Sequence, residues 1–359
     1  MSEQAGLAWG LVVLLLTIVV GMLLGSVLEG FKCSFLPESG GFVLIGLLVG
    51  GIAKAAGGEV VDALRFPDTI FLFVLLPPII LDSAITIRKR AILKNVGTIL
   101  LLAVLGTIFF TFVYGGIIFG ISQSMQGLNK SNVLESFLFA AIVAAVDPVA
   151  VFAILNKLIP DDSTNKKPPL LMSLIFGESV FNDAVAIVLY KSLKTVVVDE
   201  ETRSVTSSFV GDGVKSFLAN SFAALGIGLL WGVIVSISLK FFKGLRHSPA
   251  ASTVCIYAFS GCSYLMAEAV GFSGIISVFI TGFMITHYAA HNMTDEVEET
   301  ARSFIHTVAM LAEAVTFVYI GMTVFVVKDV QWNGGLIAVS IVICISLRFL
   351  QIIGLVSFA

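Results

Sequence analysis

The chain has 359 residues, of which 57% are hydrophobic and 13% are charged, and its mean hydropathy is +1.02. A soluble domain of this length needs far less apolar side chain, so most of the chain is expected to lie in lipid. The net charge of −3 is small and spread between apolar blocks, which argues against a nucleic-acid partner and against a disordered charged tail.

Apolar runs of about 20 residues, the length that a helix needs to cross ~30 Å of hydrocarbon, predict membrane spans. The predicted fold is an all-α polytopic membrane protein without a soluble domain. Its eleven helices are expected at 7–28, 39–56, 68–85, 96–122, 134–156, 168–197, 214–242, 250–270, 272–288, 303–327 and 334–359. The first run is 22 uncharged residues long and follows Glu3 without a basic residue, so a retained span is predicted rather than a signal peptide.

Basic residues in the short loops predict the orientation in the membrane. Segment 88–94 carries four lysines and arginines after the third span, and segment 240–246 carries three after the seventh. Both segments are expected to be cytoplasmic, which places the amino terminus on the other side.

Ionisable residues inside the spans are the most informative ones. A charged side chain at the centre of a bilayer costs about 2.5–3.5 kcal/mol on insertion scales, so it usually faces protein or water and marks a pathway. The clearest examples are Asp147, Glu178, Asp183, Glu268, Glu313 and Arg348. Four cysteines without CxxC or Cys/His spacing indicate neither a disulfide framework nor a metal site.

Asp147 lies in "AAIVAAVDPVAVFAI", directly before Pro148. The proline removes a helical N–H and disfavours helical geometry at Asp147, so the span is expected to unwind or kink here. One interpretation is a simple kink with Asp147 as the N-cap of the second half-helix. The other is a water-reached polar site, because discontinuous helices at mid-membrane present backbone groups to ions in many transporters.

The stretch "FGESVFNDAVAIVLY" at 176–190 places further polar groups in an apolar span. Ser179 and Asp183 are four residues apart and lie on one helix face, and Glu178 and Asn182 lie on an adjoining face. With Asp147, the oxygens of Asp183, Ser179 and Asn182 could bind a small monovalent cation. The alternative is that these carboxylates only form buried hydrogen bonds.

Five segments together resemble the eukaryotic sodium/proton exchanger family of the cation/proton antiporter superfamily. They are "LPESGGFVLIGLLVGG" (36–51), "FLFVLLPPIILDS" (71–83), "NVGTILLLAVLGT" (95–107), "AAVDPVAVFAI" (144–154) and "FGESVFNDAVAIVLY" (176–190). The resemblance implies one transmembrane exchanger domain built from inverted repeats, which would assemble as a homodimer in the lipid bilayer. The first repeat would cover 7–197 with the ion site, 214–242 would be a linker helix, and 250–359 would form an incomplete second repeat.

The resemblance also assigns the site residues. The ion- and proton-binding aspartate falls on Asp183 beside Asn182, the aspartate of the unwound helix on Asp147, and a further oxygen ligand on Ser179. The conserved intramembrane glutamate falls on Glu178. A monovalent cation would bind at Asp183, Asp147 and Ser179, and no cofactor is implied apart from the transported Na⁺ or K⁺ and H⁺.

Glu178 is expected to form a structural ion pair, since a lone buried charge would be uncompensated. The family's partner position falls on Arg348, and Arg302 in "TARSF" is the alternative. With Glu178 paired and Asn182 neutral, Asp183 would carry the main exchangeable charge. One carboxylate that binds one proton or one Na⁺ predicts electroneutral one-for-one exchange, whereas electrogenic relatives carry an aspartate at the position of Asn182.

Two other span acids, Glu268 and Glu313, also fall on acidic positions of the family pattern. They are interpreted either as helix–helix hydrogen-bonding groups or as charges that line the pathway outside the site. His247, His287 and His291 are expected at cytoplasmic ends, where they would either sense pH or simply be solvated.

The chain ends at "QIIGLVSFA", within an apolar run, whereas family members continue through a second unwound helix with a "GLRGA"-like motif. The second repeat is therefore expected to be incomplete and the chain to be C-terminally truncated. An alternative function is a non-transporting homologue that dimerises with and regulates a full-length exchanger. An intramembrane aspartyl protease is disfavoured, because it expects Tyr-Asp and Gly-x-Gly-Asp contexts. The choice of Na⁺ or K⁺, of plasma membrane or endomembrane, and of cytosolic regulators stays open.

Overall fold

The structure is a computed structural model that describes residues 12–23, 25, 38–57, 68–86, 93–124, 132–146, 170–198, 207–326 and 332–356. Within these ranges all regular secondary structure is helical. The helices are α1 (Val12–Leu23), α2 (Glu38–Ala56), α3 (68–86), α4 (Val96–Ser124), α5 (Val133–Ala144), α6 (Leu170–Val198), α7 (Ser207–Phe241), α8 (Pro249–Ala269), α9 (Gly274–Asn292), α10 (Asp295–Val326) and α11 (Gly334–Val356).

The eleven predicted helices are thus each represented among the described residues, and the all-α polytopic class is confirmed. Six of the described helices are long and apolar enough to cross a membrane: Val96–Ser124, Ala219–Phe241, Pro249–Ala269, Gly274–Asn292, Asp295–Phe325 and Gly334–Gly354. Four shorter apolar helices accompany them. Asp147, where the span was expected to unwind, lies outside the described ranges. Arg88, Lys89 and Arg90 also lie outside them.

Helix α10 begins at Asp295, well before the predicted start at 303. Its first turn carries Asp295, Glu296 and Glu298, which are favourable at the positive end of a helix dipole. The hydroxyl of Thr294 accepts a hydrogen bond from the backbone N–H of Val297 at 3.4 Å. The predicted start lies eight residues too far along the chain, because a count of apolar residues does not detect a polar first turn.

Three of the helices contain π-helical segments, at Phe71–Leu75 in α3, Leu101–Gly106 in α4 and Ile285–Ala289 in α9. A π-helical turn takes one more residue than an α-helical turn and changes which side chains face a neighbour. The segment in α4 ends directly before Thr107, where that helix faces α6.

Helices α2 and α10 are in close backbone contact. A Cβ atom at Gly46 would lie 2.9 Å from the carbonyl carbon of Val318 and 3.1 Å from Cα of Gly321. At Gly50 it would lie 3.0 Å from Cα of Met322. Glycine is required at these positions because the neighbours are main-chain atoms that cannot rotate away.

Buried hydroxyl groups join α7, α8 and α9. Ser263 on α8 is 2.7 Å from the hydroxyl oxygens of both Ser277 and Thr281 on α9. Thr281 also donates to the carbonyl oxygen of Gly228 on α7 at 3.1 Å. Such hydrogen bonds hold helices together in an environment where apolar surface alone gives little preference.

Helices α4, α5, α6 and α11 form the part of the fold that holds the site. Helix α6 packs on α4 and α5, and α11 packs on α4. A core of Phe110, Tyr114, Ala140, Ala144 and Leu347 fills the space between α4, α5 and α11. The hydroxyl of Tyr114 is hydrogen-bonded to the hydroxyl of Ser340, so a polar contact also links α4 to α11.

Candidate functional site

The polar stretch of α6 is enclosed by protein. Ser179 and Asn182 are both 0% exposed, and Glu178 and Asp183 are half-buried. Because α6 is a continuous helix from Leu170 to Val198, the spacing of four residues places Ser179 and Asp183 on one face, as predicted.

Both the nitrogen and the oxygen of the Asn182 side-chain amide form hydrogen bonds. Its Nδ2 donates to Oε1 of Glu178 at 3.2 Å, and its Oδ1 accepts from the hydroxyl of Thr107 at 2.9 Å. Thr107 is itself 0% exposed. The amide therefore connects the carboxylate of Glu178 on α6 with α4.

Ser179 has a buried Oγ atom without a hydrogen-bond partner among the described residues. Burying a hydroxyl group without a partner costs about 1–3 kcal/mol by mutational measures, so such an atom in a native site calls for an explanation. An oxygen one helical turn before a carboxylate is suited to coordinating a cation. This is the observation within the site that best fits ion binding.

Arg348 on α11 reaches into the same region. Its guanidinium donates a hydrogen bond to the carbonyl oxygen of Ala144, lies 4.2 Å from the ring centre of Phe110, and attracts the carboxylate of Glu178 electrostatically. The hydrogen bond satisfies the carbonyl group of Ala144, the last residue of α5, and the carbonyl groups in the last turn of a helix need partners outside it.

Arg302, the alternative partner of Glu178, has neighbours of its own on the described part of α10 and α3. Its guanidinium forms an ion pair with Glu298 one turn earlier, at 2.8 Å, and donates to the carbonyl oxygen of Ile85 at 2.9 Å. Arg348 is thus the arginine that interacts with Glu178 in this geometry, while the functional role of either pair stays a prediction.

The predicted ligand Asp147 lies outside the described residues, as does Pro148. The structure does describe the approach to them. Helix α5 ends at Ala144, and Ala145 has extended backbone angles, with φ −64° and ψ 139°. The described chain therefore leaves helical geometry two residues before Asp147, in the span that was predicted to continue to 156.

Glu268 has a clear contact at the turn between α8 and α9. Its Oε1 accepts a hydrogen bond from the backbone N–H of Gly274, the first residue of α9, at 3.0 Å. Gly271 in this turn has φ +87°, which favours glycine. The hydrogen-bonding interpretation of Glu268 thus has a structural basis. Glu313 is half-buried on α10.

A second polar region lies between α3 and α10, around a cavity of about 540 Å³. Its lining includes Asp82, Asp295, Glu298, Arg302 and His306. Nδ1 of His306 is 3.1 Å from Oδ2 of Asp82. Sequence reasoning did not single out Asp82, because it stands at the end of an apolar run where a charge is unremarkable.

Thr107 is the other residue that sequence reasoning missed. Ionisable groups stand out in apolar spans, whereas the threonine in "LAVLGTIFF" has no charge and fits an apolar helix. A weak signal was present, because Thr107 closes one of the five family segments. In the described part of the chain, no group of three or more His, Cys, Asp and Glu residues could hold a metal ion.

Long apolar helices that enclose a carboxylate, an amide, a hydroxyl and a guanidinium define an integral membrane protein with a polar centre. Residues 14–359 match the family described as "Sodium/hydrogen exchanger, transmembrane", and the chain belongs to this family. The resemblance inferred from the five segments is confirmed.

Curated relatives agree with the family. The chain is 33% identical over 320 residues to sodium/hydrogen exchanger 8 of Homo sapiens, which covers 87% of this chain and 53% of that protein. It is 30% identical over 357 residues to sodium/hydrogen exchanger 5 of Arabidopsis thaliana, with 98% and 66% covered. Na(+)/H(+) exchanger beta of Oncorhynchus mykiss is 31% identical over 322 residues, with 89% and 40% covered. The chain spans about half the length of the first of these relatives.

Proposed function

We propose that the protein exchanges Na⁺, or K⁺, for H⁺ across a membrane. The proposal draws on the family to which the chain belongs and on the sodium/hydrogen exchange that the names of its relatives state. The single structural observation that carries it is the buried Oγ of Ser179, which lies on the α6 face of Asp183 and has no hydrogen-bond partner in the part of the chain that the structure describes. A cation bound there would supply the interaction that this oxygen otherwise lacks.

In the proposed mechanism, Asp183 binds either one proton or one cation. Asn182 is neutral and Glu178 is compensated by Arg348, so one exchangeable charge remains and exchange is electroneutral, one for one. Protons and cations compete for the same carboxylate, and the apparent cation affinity falls as the pH falls. A pH difference of one unit supplies about 1.4 kcal/mol to move a cation in the opposite direction.

Inverted repeats at 7–197 and 250–359, joined by the helix at 214–242, would expose the site alternately to the two sides of the membrane. Asp147 would contribute a further oxygen to the site from the span after α5. Two copies of the chain would form a homodimer.

The test uses purified protein in liposomes with an internal pH dye. Addition of Na⁺ outside acid-loaded vesicles is expected to raise the internal pH, and Na⁺ and K⁺ are compared at equal concentrations. Asp183→Asn is expected to reduce this flux to that of empty liposomes, because an amide does not carry the exchangeable proton.

Glu268→Gln is the matched control. It also removes one carboxylate from a span, but its amide oxygen can still accept the hydrogen bond from Gly274, so near wild-type flux is expected. Wild-type protein without cation-dependent flux would contradict the proposed exchange. Flux in Asp183→Asn equal to that of Glu268→Gln would contradict the role of Asp183.

A further inference from the structure

Thr107 makes an unusual hydrogen bond for a threonine within a helix. Thr17, Thr253 and Thr316 each donate to the carbonyl oxygen four residues earlier in their own helix, which is the common arrangement. Thr107 instead donates across the interface to Asn182 on α6, at 2.9 Å. It is the first residue after the π-helical segment of α4, so the change in helix geometry directly precedes this contact.

The direction of each hydrogen bond follows from the chemistry of the groups. The ionised carboxylate of Glu178 can only accept, so the nearer end of the Asn182 amide must be the NH₂ group. The carbonyl end then faces Thr107, and the hydroxyl of Thr107 must donate. The flipped amide would place two acceptor oxygens, Oδ1 of Asn182 and Oε1 of Glu178, next to each other.

We infer that Thr107 is a positioning residue that fixes the orientation of the Asn182 amide and thereby sets the oxygen atoms offered to the transported cation. The inference rests on the proposed function. An amide oxygen has two lone pairs, so Oδ1 can accept from Thr107 and still face a cation. Without the donor of Thr107, the amide is held only at its Nδ2 end by Glu178, so Oδ1 is less firmly placed and binds a cation less well.

The experiment compares Thr107→Val, Thr107→Ser and wild type by the Na⁺ concentration dependence of exchange in liposomes. Valine preserves the shape but not the hydroxyl, so the KM for Na⁺ is expected to rise about fivefold, as for the loss of one net intramolecular hydrogen bond. Vmax is expected to stay within about a factor of two, because a hydrogen bond to a residue that binds the cation changes the affinity for the cation more than the rate of turnover. Serine keeps the donor, and Thr107→Ser is expected to restore the wild-type KM.

Thr111→Val is the matched control. Thr111 is on the same helix, is 1% exposed, and its Oγ1 has no hydrogen-bond partner among the described residues. The substitution removes an equivalent buried hydroxyl without affecting Asn182, so the KM should not change. Na⁺-dependent thermal stabilisation of the purified variants provides a binding measurement without transport, and its Na⁺ midpoint should shift only in Thr107→Val.

The outcomes separate the inference from the proposed function. An unchanged KM in Thr107→Val, an equal rise in Thr111→Val, or no recovery in Thr107→Ser would each overturn the positioning role. A loss of Vmax alone would do the same, since it is the result expected of a purely structural contact. If Thr107→Val does not fold, Thr107→Ala takes its place with the same expected shift. A wild type with neither flux nor stabilisation by Na⁺ overturns the proposed function and the inference with it.

Discussion

Gly321→Ala tests the close packing of α2 against α10. A Cβ atom at Gly321 would overlap the carbonyl oxygen of Val43, and it would lie 2.8 Å from the backbone nitrogen of Leu47 and 3.0 Å from the carbonyl carbon of Gly46. All three are main-chain atoms of α2. No rotamer change can relieve the overlap, so the two helices have to move apart.

The size of the effect follows from these distances. Non-bonded carbon atoms prefer a separation of about 3.5–4.0 Å, so α2 and α10 must separate by roughly 0.5–1 Å. Neighbouring contacts such as those of Val318 and Met322 then lose a quarter to a half of their attraction, by the same estimate. Overpacking of this kind typically costs about 1–3 kcal/mol. In a helix without such contacts, glycine to alanine would instead favour folding by up to about 1 kcal/mol.

The assay is the midpoint of thermal unfolding of the purified protein in detergent. Gly41→Ala is the control on the same pair of helices, because a Cβ atom there meets nothing within 4 Å. We expect Gly321→Ala to unfold several degrees below wild type and Gly41→Ala to unfold at or above it. Equal midpoints for the two variants would refute the claim that backbone contact between α2 and α10 limits the stability of this part of the fold.

Two further predictions concern the charges at the site. Glu178→Gln and Arg348→Gln should each lower the free energy of unfolding, because each single change leaves a buried charge uncompensated. The double variant should lose about 0.5–3 kcal/mol less than the sum of the two single losses. Additive losses in thermal unfolding would contradict the pairing. Asn182→Asp adds a second exchangeable carboxylate, so its exchange rate in liposomes should change with an imposed membrane potential while that of wild type does not. A wild-type rate that depends on the potential would exclude the single-carboxylate mechanism.

The helices were predictable because their signal is long and simple. Every predicted span has a corresponding helix, since about 20 apolar residues have few other stable conformations in lipid. The clearest error lies where polar residues extend a helix, as at Asp295. Hydropathy averages over a window and does not locate such points.

The site was predictable in its residue types but not in its contacts. Asn182 and Glu178 could be placed on one face of α6 from their spacing alone. The partner of the Asn182 carbonyl oxygen could not be found in this way, because it depends on the packing of α4 on α6. The π-helical segment that precedes Thr107 gives no clear signal in the sequence.

The helix packing also crosses the division that the sequence suggested. Helix α11 comes from the second predicted repeat, yet it packs on α4, and Arg348 bonds to the end of α5. Sequence distance therefore says little about which helices share the site. That information comes from the contacts of a few side chains.

Arg348 also has a mechanical consequence. One guanidinium holds a carbonyl oxygen of α5 and an aromatic ring of α4, and it attracts a carboxylate of α6. Such bonds are directional and break when helices slide. Where α6 meets α9, Phe181 lies edge-on to Phe279 with 5.5 Å between ring centres, and apolar contacts of this kind tolerate sliding because they need no particular partner atom. Sliding of α11 along α4 and α5 would therefore break the bonds of Arg348, whereas the contact between Phe181 and Phe279 would lose little if α6 moved along α9.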